Sequence, residues 1–424
     1  MAAIAGLQDF RQEAPPADIG TFLMATEVLV FEHTFAGASY ICAVRSGERG
    51  WVLIDYLPVA AANNVTVITA ALNDLTAGRT WQEKVVVMGD FTINASIVVP
   101  SYVILEIHGI LTMANGVNIT MIDVGTQSNV TITGGILDGN RANNPGITFG
   151  ISFYNVSESI IENVFIRDVY GYSIQVHTCN DIMIEKNICE NSSDDGIAIV
   201  ESEYISIIGN VSRNHTGGTI STVSSGIEIN DNSRHIDIIG NICYGNLAAT
   251  GNGIAVHWHA ASTPVHDITI EGNVCYNNHY GIRVRRISGA GLNTGIVISN
   301  NSVDTSVAEG IRVEYSQVVT VQGNIVRNSS GAGIMMGGPD ATTHNYVVKG
   351  NLVDGSGTEA LQNGIEIRTD DGTINDNFVL NARRGISIIG TRTDLIVNGN
   401  FLRDNSRSGI RAENELHYSI ISDI

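Results

Sequence analysis

The sequence predicts an all-β fold of the parallel β-helix kind, in which short strands wind into coils stacked along one axis. Three observations predict it. Gly-Ile-x-apolar recurs at 196, 226, 253, 281, 310, 333, 364, 385 and 409, at spacings of 21 to 31 residues. An Asn after a short apolar run recurs at Asn187, Asn210, Asn241, Asn273, Asn301, Asn324, Asn351, Asn377 and Asn400, at spacings of 23 to 32 residues. Each period holds about three strand-like segments parted by Gly, Asn, Asp or Ser and leaves no room for a helix, the pattern of a β solenoid. Coils stacked about 4.8 Å apart bring like residues together. An Asn at one turn of every coil is therefore expected to hydrogen-bond along a ladder. The uneven spacing places insertions at the turns, while the strands keep register.

The elements follow in order. Residues 1–62 are expected to form a small β-rich N-terminal element, from "EVLVFEHT", "SYICAVRS" and "WVLIDYL". Residues 64–77 read as a short helix started by Asn63 or Asn64. Placed before the first coil, that helix would cover the open edge of the solenoid. "KVVVMGDFTINASIVVPSYVILEIHGIL" reads as the first coils, so residues 63–424 are expected to be a capping helix plus the β-helix. The far end, "HYSIISDI", shows no cap; either the chain is a fragment or a partner covers that end.

Composition narrows the function. The 45 Gly, 7 Pro and 16% charged residues suit strands and tight turns rather than helices. A formal net charge of -20 argues against nucleic acid and against an anionic membrane as partners. No run of about 18 uncharged apolar residues is present, and "MAAIAGLQDFRQEAPP" lacks the pattern of a standard secretion signal. The five cysteines, Cys42, Cys179, Cys189, Cys243 and Cys275, have no metal-knuckle spacing and read as small interior residues. No metal and no cofactor are expected.

Chemistry is expected on one outer face. In Gly-Ile-x-apolar-x, period two turns Ile and the next apolar residue inward and the alternate positions outward. Stacking gives two outward columns: Ala198, Glu228, Ala255, Arg283, Arg312, Met335, Glu366; and Val200, Asn230, His257, Arg285, Glu314, Gly337, Arg368. Trp258, His259, Arg286 and Tyr315 follow at the next positions along. Arg283, Arg285, Arg286 and Arg312 thus cluster on an acidic body, with aromatic rings suited to sugar faces and guanidinium groups suited to carboxylates or sulfates. The plain alternative is a set of cross-strand ion pairs, Arg285 with Glu314 first among them. His257 or Tyr315 as base, with Arg283, Arg285 or Arg312 on a uronate carboxylate, would suit lyase chemistry. Glu228 and Glu314 are the wall's carboxylates, but three coils, near 14 Å, separate them, too far for a glycosidase pair.

On these repeats the chain resembles the pectate-lyase-like right-handed parallel β-helix superfamily, and in layout bacteriophage tailspike and polysaccharide depolymerase proteins. The resemblance implies a homotrimer, on a virion tail or otherwise extracellular, that binds or degrades a surface polysaccharide. Two local motifs carry narrower resemblances. "LDGNR" at 137–141 with "GYSIQVHT" at 171–178 is similar to alginate C5-epimerase modules, which implies site roles for Tyr172 and His177; Gln175 and Ile147 stand where that family has Asp and Lys. "SDDGIAI" at 193–199 looks like a polygalacturonase strand, but its partner motifs are missing, so Asp194 and Asp195 read as turn residues. The expected function is an acidic-glycan depolymerase, lyase or glycosidase. A non-catalytic glycan-binding spike or adhesin, or an epimerase or pectinase relative, stands as the alternative.

Overall fold

The computed structural model describes residues 27–47, 50–217, 224–258, 263–286, 291–338, 343–355, 363–417 and 419–422. Its coils form a right-handed parallel β-helix of about 12 turns. Two of its parallel sheets have thirteen strands each, and the third is part of a seventeen-stranded sheet. One sheet carries long strands such as Val103–His108 and Ser316–Gln322, one carries three-residue strands such as Ile242–Tyr244, and one carries the Gly-Ile strands. The N-terminal strands Glu27–Phe35, Ala38–Gly47 and Gly50–Pro58 form an antiparallel meander whose first strand pairs in parallel with Glu83–Met88 of the long-strand sheet.

The helix α1, Ala61–Asn73, packs Val65, Val67, Ile68, Ala71 and Leu72 into the core. It begins earlier than expected, with Ala60 at its N-cap and no side-chain cap. Asn63 and Asn64 lie in its first turn and bond elsewhere: Asn63 Nδ2 donates to the Pro58 carbonyl and Asn64 Nδ2 to the Thr92 carbonyl, each at 2.8 Å. The second of these ties the helix to the first coil.

The two sequence marks have distinct physical causes. A Cβ built on Gly226, Gly253, Gly281 or Gly310 would meet the carbonyl oxygen of the next Gly in the series at 2.5–2.7 Å, so only Gly lets successive coils approach there. The Asn mark is a continuous buried ladder. Asn301 shows the pattern: its Oδ1 accepts from Asn273 N–H at 2.9 Å and Nδ2 at 3.0 Å, while its Nδ2 donates to the Ile270 carbonyl and to Asn324 Oδ1 at 2.9 Å. The residue before each ladder Asn turns through left-handed backbone, as at Gly240 (φ 64), Gly272 (φ 64) and Asn300 (φ 56). The recurring Gly-Asn pair is thus one corner of the coil.

Inside, aliphatic rows stack coil on coil. Ile227, Ile254, Ile282 and Ile311 have no measurable exposure, and they are paired in register. All five cysteines are free and buried, with Cys243 directly beside Cys275.

One interior polar group gives the fold a pH dependence. His215 is 1% exposed and lies between Ser192 Oγ, at its Nδ1, and Ser212 Oγ, 2.9 Å from its Nε2. Burial, reinforced by Arg141, pushes its pKa down to about 3. The unfolded chain therefore takes up a proton below about 6.5 that the folded chain refuses. Stability is full above that pH and is lost towards pH 3, at about 1.4 kcal/mol per pH unit. In the next two coils Asn246 and Asn278 hold the corresponding turn and accept from the backbone as His215 does. His215→Asn is therefore expected to keep the stack and flatten this acid limb in urea titrations run at pH 4, 5 and 7; an unchanged limb would place the acid sensitivity elsewhere.

Candidate functional site

The register of the Gly-Ile sheet stacks Ala198, Glu228, Ala255, Arg283, Arg312, Met335 and Glu366 on successive coils. In the second column Val200, Asn230 and His257 are paired, and the backbone bonds Arg285 N–H to Val256 O and Glu314 N–H to Val284 O carry the ladder onward. Although it faces outward, this wall is recessed: Glu228 and Glu314 are each 6% exposed and His257 is 1% exposed.

Polar side chains this deep must find partners, and most do. Glu314 accepts from Arg283 at 3.2 Å and from Arg312 at 2.8 Å, and Arg312 also reaches Glu309 at 3.4 Å. The Tyr280 ring lies 4.3 Å from the Arg283 guanidinium and 6.0 Å from that of Arg312. These contacts correct one expectation: Glu314 lies between Arg283 and Arg312 and pairs with both, so the ion pair at Glu314 is not made by Arg285.

Arg285 differs in its ion pairing: among the described residues no carboxylate lies within ion-pair distance of it. Its buried Nε, like those of Arg283 and Arg312, has no hydrogen-bond partner. Burial and then Arg283 pull its pKa down, while the charges of Glu228 and Glu314 oppose that pull. Arg312, similarly desolvated, is instead raised by Glu314 and Glu309. A desolvated cation beside another cation is costly unless an anion joins it.

Below Arg285 lies a group of acids that the repeat pattern did not reveal. His257 Nε2 is 3.0 Å from Glu228 Oε1, to which Asn230 Nδ2 also donates at 3.1 Å. Glu228 sits between Ala198 and Ala255, whose small side chains leave it room on the wall. Asp195 is 1% exposed and accepts from the Ser225 N–H at 2.5 Å. Burial, then the charges of Glu228 and Asp194, hold Asp195 protonated, and it hydrogen-bonds Glu228. Burial works against ionisation of Glu228 as well, but His257, the bond from Asp195 and Arg285 outweigh it and keep Glu228 ionised. Asp194 is raised to about 7 by burial and by Glu228. Tyr172, one coil lower, is raised by burial and by the Asp195, Asp194 and Glu228 charges, so its phenol stays neutral. Asp194 and Asp195 are therefore not simple turn residues. The signal was present, since "SDDG" lies one coil below an outward Glu flanked by alanines, but only the fold shows that Glu228 reaches Asp195.

The remaining expected residues separate. Trp258 is 2% exposed and part of the hydrophobic core, so its ring faces cannot meet a sugar, which corrects the platform expected there. The Tyr315 ring is capped by the Arg286 guanidinium at 3.8 Å. His177 stacks on Tyr154 at 5.1 Å and lies three coils below His257, about 14 Å along the axis. Tyr172 stacks on Phe149 at 5.5 Å instead, so the two residues of the epimerase-like motif do not share one cluster. Arg141 of "DGNR" is engaged with Asn191 at 2.8 Å, Thr216 at 3.2 Å and Ser193 at 3.3 Å. His259 lies outside the described residues.

Comparison with known proteins agrees with the fold. Residues 249–420 match the family described as "Periplasmic copper-binding protein (NosD)". Among the described residues, no three His, Cys, Asp or Glu side chains converge as they would to hold a metal ion. A putative phage-related protein, YobO of Bacillus subtilis, is 26% identical over 260 residues, which cover 55% of this chain and 32% of YobO. The chain thus spans about a third of that relative's length. The mannuronan C-5 epimerase AlgE4 A-module of Azotobacter vinelandii superposes with a TM-score of 0.67 at 18% identity, over 86% of this chain and 97% of the module. The tailspike of E. coli bacteriophage HK620, solved with a pentasaccharide, superposes with a TM-score of 0.65 at 13% identity, over 86% of this chain and 73% of the tailspike. The chain is a right-handed parallel β-helix of the kind found in phage tailspikes and alginate epimerase modules.

Proposed function

We propose that this chain is a polysaccharide-acting β-helix of the tailspike depolymerase type, which binds an acidic glycan on the Gly-Ile wall and cleaves it by β-elimination. The observation that carries the reading is Arg285, a desolvated guanidinium with no carboxylate within ion-pair distance among the described residues, placed one coil from His257 and its partner Glu228. A uronate carboxylate fills that position: Arg285 neutralises it and stabilises the negative charge that develops when the neighbouring C5 proton leaves. His257 takes the proton, and Glu228 steadies the resulting imidazolium. The C4–O bond breaks as the C4–C5 double bond forms, and the leaving oxygen takes the proton that His257 has accepted, which restores the starting state. Asp195, three coils below Arg285, acts by holding Glu228.

Asp195 and Glu228 share a direct hydrogen bond, much closer than the roughly 5 to 9.5 Å between paired glycosidase carboxylates. Elimination therefore fits this pair better than hydrolysis does. The burial of His257 favours a second reading, a glycan-binding spike without turnover. A homotrimer on a virion tail, or an otherwise extracellular location, belongs to the same proposal and is supported by likeness alone.

The test is incubation with a panel of acidic and neutral glycans, following reducing ends together with the absorbance of unsaturated uronates. Both signals are expected to rise on an acidic glycan, and Arg285→Ala is expected to lower the rate about 10²-fold or more. Reducing ends without unsaturated product would replace the lyase with a hydrolase. Binding without turnover would leave the spike.

A further inference from the structure

A second group of cations lies farther along the same wall. Arg384 stands at the start of the strand Arg384–Ile388 and Arg411 on the next strand, Ser408–Ala412, where it pairs in register with Ser387. Arg383 and Arg407 precede these strands and are stacked one coil apart, with Arg407 N–H donating to the Arg383 carbonyl at 2.8 Å. Arg407 is exposed, and Arg383, Arg384 and Arg411 are half-buried. Burial first, then the charges of Arg411, Arg383 and Arg407, disfavour the charged form of Arg384, and Glu413 is the acid that opposes them. Glu413 is itself paired with Arg411 at 3.1 Å. The other close polar contact of Arg384 is to the neutral Asn363 Oδ1, at 3.3 Å. Arg383 is already engaged, and the guanidinium groups of Arg384, Arg407 and Arg411 occupy two coils of a protein whose formal net charge is -20. Like charges at this spacing repel, and an anionic ligand relieves the repulsion.

We propose that Arg384, Arg407 and Arg411 form a second anion-binding subsite, which takes carboxylates or sulfates of an acidic polysaccharide lying along the solenoid axis. This rests on the glycan reading above and adds to it a direction and a minimum length. The register steps from Ile282 through Ile311, Ile334 and Ile365 to Ile386, four coils, and then to Ile410. At about 4.8 Å per coil the subsite lies roughly 19 to 24 Å from Arg285. Between the two, Met335 is buried and Glu366 is already paired with Arg368. Cationic contacts are therefore concentrated at the two ends of this stretch. A polysaccharide fits better than duplex nucleic acid, because the rest of an acidic body would repel a closely spaced phosphate backbone on either side of so small a patch.

The experiment compares wild type, Arg384→Ala/Arg411→Ala and Arg384→Lys/Arg411→Lys, each checked by thermal melting, for binding to polymeric alginate, heparin, neutral dextran, short alginate oligomers and duplex DNA. Wild type is expected to bind the long acidic chains and not dextran. The double Ala variant is expected to bind them at least about 10-fold more weakly, with short oligomers unaffected and the Lys variant largely rescued. Equal binding by wild type and the Ala variant overturns the subsite and leaves the Arg285 reading standing. Failure of wild type to bind any acidic glycan overturns both. A loss confined to DNA overturns the subsite in favour of a nucleic-acid surface.

Discussion

Asn301→Ala is expected to destabilise the fold by about 3 kcal/mol. Removing the amide leaves Asn273 N–H, Asn273 Nδ2 and the Ile270 carbonyl without the partners they have at 2.9–3.0 Å, while Asn324 Oδ1 keeps the Asn301 backbone N–H at 3.0 Å. Asn301 is 1% exposed, so water does not readily replace it, and each orphaned group costs roughly 1 kcal/mol or more. In a solenoid each coil contacts only its neighbours, so the damage should be local. Amide exchange is expected to quicken around Asn273, Asn301 and Asn324 before it does around Asn187. Urea unfolding gives the magnitude, with the exposed Gln322→Ala as a control expected to stay within about 0.5 kcal/mol. A loss below 1 kcal/mol for Asn301→Ala would mean that the ladder follows the fold without stabilising it.

That ladder also shows why so much of the fold was legible. The Gly-Ile glycines and the ladder asparagines recur because their environments recur, and each answers to a short-range constraint: a carbonyl too close for a Cβ, or an amide that must be matched coil to coil. The in-register columns followed from period two alone, and the structure places Glu228, Arg283 and Arg312 on them as read. What the columns could not give is the direction in which a long side chain leans. Glu314 bonds to Arg283 and Arg312, both offset along the strand, and not to Arg285 beside it in its own column. Glu228 reaches Asp195, which lies three residues back along the strand direction on the coil below. Trp258 shows the same limit. Strand alternation gives no information beyond the strand's last residue, His257, and the chain there turns the indole into the core.

Asp195→Asn is expected to separate the catalytic role of this pair from its structural one. A protonated Asp195 accepts from the Ser225 N–H and donates to Glu228. An asparagine of the same shape accepts with Oδ1 and donates with Nδ2, so both bonds survive and stability is expected to change by less than about 1 kcal/mol. What disappears is the ionisable proton. Asp195 lies three coils below Arg285, about 14 Å along the axis, and acts by holding Glu228, so cleavage of an acidic glycan is expected to change by less than about 10-fold, with binding at Arg285 unchanged. Glu228→Gln should behave differently, because it removes the anion that faces Asp195, His257 and Arg285 at once. It is expected to cost several kcal/mol as well as activity. Asp194, raised to about 7, gives a third readout. Its folded pKa lies above its unfolded value, so the buried acid is tolerated at low pH and its contribution is lost as pH rises through about 7. Asp194→Asn should flatten that fall in stability between about pH 4 and pH 7. A loss of activity of about 10²-fold or more in Asp195→Asn would put its proton on the reaction path and overturn the holding role.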